Sequence, residues 1–168
     1  MSSDPRRTAD SDQDVVVFLI GMRVNRWRAL RQWLPVFSAM PRMLRELRKA
    51  DLGLLDARNF LSGRVILVVQ YWTSFEALEA YARAGEHEHL PAWRAFNRRA
   101  RSSSAVGIFH ETYVVPASAR ESVYVHMPLM GLAKAVGSRP VGTRGLSAAH
   151  RLDPSRPDQP LNAELLDA

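Results

Sequence analysis

Two stretches of this 168-residue chain carry residue types that can do chemistry. The first is Glu86-His87-Glu88-His89-Leu90-Pro91, followed by Trp93, Phe96 and Asn97. His89 and Trp93 are four apart, so on a helix they share a face, with Phe96 next on that side. A histidine beside aromatics could ligate haem, act as a base or orient a substrate. It could equally cap the helix entry while Trp93 fills core, and His87 fits that structural role better. The spacing is not a zinc signature, because no third ligand is evident and Glu86 and Glu88 flank the histidines without aligning with them. Asn97 has low helix propensity and sits mid-helix beside Phe96, where it could hydrogen-bond a buried partner.

The second stretch is Phe109-His110-Glu111-Thr112-Tyr113. On a strand, side chains alternate, so His110 joins Ile108 and Thr112 on one face while Glu111 joins Phe109 and Tyr113 on the other. A histidine or carboxylate in apolar strand surroundings must be paired or shift its pKa. Such groups are candidates for catalysis, and structural ion pairs look the same in a sequence. Whichever of the two faces the sheet interior is the stronger candidate. Gln70 and Trp72 share one face of an earlier strand, and Tyr124 and His126 share one face of a later one. These residues could line one cavity. Arg23 and Asn25 stand at a strand end, where they could bind an acidic group. No glycine-rich phosphate loop, nucleophile elbow or paired-carboxylate spacing is present.

Composition narrows the class. The length suits one domain with a real core and is short for two. With no cysteine, disulfides and thiolate chemistry are excluded. No run of about 18 apolar residues exists, and the N-terminus lacks the apolar region of a secretory signal. A soluble, cytoplasmic protein with no membrane partner is therefore expected. The net charge of +6 is concentrated in residues 15–136, which hold 17 basic against 9 acidic residues. These charges fall as Arg42, Arg45, Arg48 and Lys49 on one helix and Arg94, Arg98, Arg99 and Arg101 on another. They read as solvated helix faces rather than a nucleic-acid site, since no known RNA-binding motif accompanies them.

The elements that must position these residues follow from periodicity. Residues 14–23 are a near-continuous apolar run and read as a strand buried on both faces. Helical spacing from Arg26 to Ala50 is interrupted by Pro35 and Pro41. Residues 54–61 and 64–72 are two strands joined by a tight turn at Ser62-Gly63, a hairpin. Thr73 or Ser74 caps a helix that stops at Gly85. A second helix follows, then a strand over 104–115 and a short one over 120–127. The order is the split βαβ pattern of an α+β, ferredoxin-like domain. The expected organisation is a disordered tail over 1–13, one domain over 14–127 and an extended or disordered arm over 128–168. Helices cover one sheet face only, and the other is apolar, so a homodimer with sheet packed on sheet is expected.

The runs WLPVFSAMPRMLREL, YWTSFEALEAYAR, HLPAWRAFN, GIFHETYVV and VYVHMPLMGLAKA resemble the bacterial family DUF4188 over roughly residues 15–136. That family is grouped with a fungal monooxygenase of fumagillin biosynthesis and is similar to the antibiotic-biosynthesis monooxygenases. The resemblance implies a dimeric α/β-barrel and oxygenation of a small, largely apolar, electron-rich metabolite. Relatives in this superfamily work without metal or flavin, so no cofactor is the first expectation. Others of the same architecture bind haem through a histidine in the region of His89, which makes haem the alternative. The candidate catalytic set is His110, His89 and Glu111. Trp72, Trp93, Asn97, Tyr113 and Tyr124 are the candidate substrate contacts. A non-catalytic binding dimer is the third reading, because fold alone does not set function.

Overall fold

The longest apolar run of the chain forms the central strand. Val15–Val24 (β2) buries Val16, Ile20, Met22 and Val24 on one face. The computed structural model describes residues 6–35, 37–38, 51–83 and 104–159. The chain divides into two compact units, one of Val16–Val114 and one of Met1–Val15 with Val115–Ala168.

In the first unit β2 is flanked by Val65–Trp72 (β4), and β4 by Leu54–Ser62 (β3). Val106–Val115 (β5) lies on the other side of β2, giving the order β3-β4-β2-β5. Both the β2–β4 and β3–β4 ladders are antiparallel. The central strands are thus the first and third of the four, which is the ferredoxin-like α+β arrangement expected from the order of elements. The β3–β4 hairpin turns at Gly63, whose φ of +54° suits a residue without Cβ. Residues 30–35 and 37–38 are helical after β2, and Phe75–Arg83 is a helix after β4. Ser74 caps the latter, its Oγ accepting from the Ala77 N–H at 3.1 Å.

Strand pleating sorts side chains between two faces. On the helix side, Val16, Trp72, Leu78 and Tyr81 form one core cluster, and Ile20, Ala57 and Val68 the next. Trp72 is fully enclosed, with its ring 5.6 Å from Tyr81. On the opposite side Val17, Leu19, Leu67 and Val69 are only partly covered. Phe60 and Phe109 there are 41% and 42% exposed. Strand β2 is therefore buried on one face and half-open on the other within a single chain. Gly21 belongs to the open side. A Cβ there would stand 2.1 Å from Phe109 Cε1, so the Phe109 ring occupies the space that a side chain at residue 21 would need.

The second unit departs from the sequence reading in three places. Residues 1–13 were expected to be a disordered tail, but Arg6–Ala9 form a strand (β1). Residues 120–127 were expected to extend the main sheet. Only Tyr124–Val125 (β6) are strand, and they pair with β1. The expected arm over 128–168 contains helices at Leu132–Val136 and Ala148–Leu152 and a strand at Ser138–Pro140 (β7). The three strands form a separate sheet, β6-β1-β7. The expected boundary over 14–127 moves with them, since the chain from Val115 onward packs in this unit.

The reason is that arginines and polar caps do here what apolar periodicity does elsewhere. Arg7 donates to Ser138 Oγ and to the Ser138 carbonyl at 2.9 and 2.7 Å. The loop 10–14 is gripped from the C-terminal segment by Arg139 on Asp10, by Arg144 on Asp12 and by Arg120 on the Ser11 carbonyl. Arg151, only 3% exposed in its side chain, pairs with Glu121 at 2.9 Å. Asp158 accepts the Leu146 and Ser147 N–H groups at 2.8 Å each, which holds its carboxyl below the usual range. Partners more than 100 residues apart leave no local pattern to read.

The Gly21–Phe109 contact predicts a coupling. Gly21→Val should destabilise the chain by about 1–3 kcal/mol through overpacking. In a Phe109→Ala background the same change should cost clearly less, measured by denaturant unfolding in a double-mutant cycle. Equal costs in both backgrounds would show that Phe109 does not pack on Gly21.

Candidate functional site

The pleat decides between the two candidate groups of β5. His110 lies on the helix-facing side, its ring centroid 6.0 Å from that of Phe18 with the planes tilted by 42°. Phe18 faces Gln70 across the β2–β4 ladder, and Gln70 faces Ala57 across the β4–β3 ladder. Directly opposed residues have Cβ atoms about 5 Å apart, so Gln70, Phe18 and His110 form a row across three adjacent strands. Gln70 is 7% exposed, and its Oε1 accepts from Trp72 Nε1 at 2.9 Å. With that carbonyl engaged, the remaining capacity of the amide is its NH2 donors. His110 itself is exposed at the edge strand. The row thus combines a base, an aromatic wall and an amide donor on one apolar sheet face.

Trp72, expected to touch substrate, is instead wholly enclosed. Its contribution is to hold Gln70 in one orientation. Phe18 carries no sequence signal beyond its place in an apolar run, and only the ring contact with His110 singles it out.

Glu111 and Tyr113 do not join this row. They lie with Phe109 on the opposite side of β5, both exposed, and the Tyr113 hydroxyl donates to Glu111 Oε2 at 2.6 Å. That hydrogen bond, reinforced by the carboxylate's charge, pushes the Tyr113 phenol above its ordinary value. Of the two candidates on β5, His110 is therefore the one that faces the helices. Tyr124 belongs to the second unit, where its hydroxyl accepts the Ala133 N–H at 3.1 Å. His126 is also there, exposed and at φ +49°. Asn25 is engaged structurally: its side chain donates to the Ser104 carbonyl at 2.9 Å and accepts from Arg23 at 2.5 Å. His87, His89, Trp93 and Asn97 lie outside the described residues, and the haem reading of His89 goes with them. Among the described residues no three His, Asp or Glu side chains converge in a way that could hold a metal ion. Among the same residues no helix is long and apolar enough to cross a membrane.

The strand order and the one-sided helices define a ferredoxin-like α+β domain, and comparison with known proteins agrees. The chain belongs to the Monooxygenase af470-like family, whose model matches residues 15–132. It is 31% identical over 142 residues to Monooxygenase af470 of Aspergillus fumigatus, a match covering 77% of this chain. The chain spans about half the length of that relative, 50% of it being matched. Among solved structures, an aldoxime dehydratase crystallised with butyraldoxime superposes with a TM-score of 0.63 at 17% identity. That match covers 82% of this chain and 41% of the other. A second aldoxime dehydratase gives 0.59 at 19% identity, covering 76% and 38%. At such identities the likeness is one of fold alone.

The Glu111–Tyr113 pair predicts a titration. Glu111→Gln should lower the apparent pKa of one tyrosine, followed by phenolate absorbance with Tyr113→Phe as the assignment control. An unchanged tyrosine titration would mean that the hydrogen bond does not form in solution.

Proposed function

We propose that this chain is an oxygenating domain acting on a small apolar, aromatic or terpenoid-like metabolite bound between the sheet and its helices. The observation that carries the reading is the placement of His110 beside Phe18 and Gln70 on the helix-facing side of the sheet. The family and its fungal relative, named a monooxygenase, support the reaction class.

The chemistry that fits needs no cofactor. A neutral His110 imidazole takes a proton from an acidified C–H or phenolic O–H of the substrate. The resulting anion gives one electron to dioxygen, and recombination forms a C–O bond as a hydroperoxide. At a CH2 centre, loss of water then leaves a carbonyl, so CH2 and O2 become C=O and H2O. The Gln70 NH2, in the same row, would donate to oxygen where negative charge gathers. His89, whose region lies outside the described residues, remains the second candidate base. Glu111 and Tyr113, on the other face, then serve assembly rather than proton transfer.

The same reading makes the chain a homodimer. The sheet face opposite the helices exposes Phe60, Phe109 and Tyr113 beside half-covered Val17, Leu19 and Val69. A second copy packing sheet on sheet is the economical cover for such a surface.

Two measurements test these points. With an acidic polycyclic phenol as probe, His110→Ala should reduce oxygen uptake by about 10²–10⁴-fold while circular dichroism stays unchanged. Undiminished uptake would remove His110 from the base role. Light scattering at micromolar concentration should give the dimer mass, and Phe109→Glu should shift it to the monomer. A monodisperse wild-type monomer would contradict the assembly.

A further inference from the structure

Trp27, Leu30, Leu34 and Phe37 follow β2, and their apolar side chains point outward. Their exposures are 47%, 53%, 49% and 46%. Leu30, Trp33, Leu34 and Phe37 have the spacing of one helix face. Only Trp33 turns inward, against Met22, Val24 and Val106. The aromatics are braced from it, Trp27 edge-on at 5.7 Å and Phe37 edge-on at 6.3 Å. The Trp33 indole N–H also donates to the Trp27 carbonyl at 3.1 Å, so the loop residue is tied to the helix. Trp27 and Phe37 are thus held in place by Trp33, with Leu30 and Leu34 exposed on the same helix.

Their surroundings are basic. Arg26, Arg28 and Arg31 are interleaved with them, all exposed, and none meets a carboxylate among the described residues. Across residues 15–50 the sequence has eight basic side chains and one acidic, Glu46. A folded chain seldom leaves large apolar groups half-exposed amid exposed arginines unless something else covers both. A second copy meeting this face with its own would bring like charges together, which argues against self-association here. Trp, Leu and Phe beside exposed Arg are what the boundary of a lipid bilayer accepts: rings and aliphatic chains enter the headgroup layer while guanidiniums meet phosphates.

We infer that the surface of Trp27, Leu30, Leu34 and Phe37 with Arg26, Arg28 and Arg31 docks reversibly on an anionic lipid bilayer. The docking requires no spanning segment, so the missing apolar run does not oppose it. It is independent of the oxygenase reading, and loss of one leaves the other standing.

Vesicle co-sedimentation of the full chain tests it. Binding should be strong to phosphatidylcholine vesicles containing phosphatidylserine, weak to phosphatidylcholine alone, and reduced by added salt. Arg28→Gln should weaken it about five-fold, the worth of one basic residue near a charged membrane. Arg156→Gln, an equal loss of charge outside the patch, should leave affinity unchanged. Leu30→Ser with Leu34→Ser should abolish binding, and lipids brominated near the headgroup should quench fluorescence that disappears in Trp27→Phe. Equal weakening by Arg28→Gln and Arg156→Gln would reduce the effect to net charge and overturn the proposal. So would binding that the Leu→Ser pair leaves intact. A change in oligomer mass from that pair, with vesicle binding absent in the wild type, would assign the patch to a protein contact instead.

Discussion

Everything in the main unit depends on the antiparallel pairing of β2 with β4. These two strands are the middle of the sheet, and their register runs unbroken from Val16↔Trp72 to Arg23↔Val65. A shift by one residue would turn every side chain to the other face. Trp72 would leave the core, Gln70 would lose its place opposite Phe18, and Phe109 would lose the bare backbone of Gly21. The hydrophobic contrast between faces holds the register: Trp72 and Val68 are fully enclosed on one side, while Leu67 and Val69 remain partly open on the other.

The same two-residue period divides the chemistry of β5. His110 and Glu111 are neighbours in sequence, yet they serve opposite surfaces. His110 meets Phe18 on the helix side. Glu111 reaches along its own strand to Tyr113 on the other. The two groups therefore cannot work as a proton-transfer pair within one protomer. Among the described residues the helix-facing row holds one imidazole, an aromatic ring and an amide oriented by a buried indole.

The second unit is built by a different interaction. Its three strands are short, at four, two and three residues, and none could form a stable sheet alone. Arginines fix the connections between them: Arg120, Arg139 and Arg144 close on the loop 10–14, and Arg151 closes on Glu121. Those on backbone carbonyls supply charge-assisted hydrogen bonds, the Ser11 carbonyl accepting from both Arg120 and Arg144. The arginines of a segment expected to be an extended or disordered arm are structural clamps here.

The main sheet is legible in local sequence signals. Apolar runs, β-branched residues, a two-residue hairpin turn and Ser74 as a cap are local signals. They placed β2 to β5 and the helix after β4 within one or two residues. They also marked His110 and Glu111 as groups of interest. The folded structure settled which of these faces the helices, because the choice depends on register against β2 and not on alternation alone. It likewise decided that Trp72 is enclosed and that Phe18 is the neighbour of His110. It turned residues 6–9 and 132–152 from expected tail and arm into folded structure. Arg7, Arg139 and Arg144 in those segments reach partners more than 100 residues away, and a contact that distant imposes no period on the residues that make it.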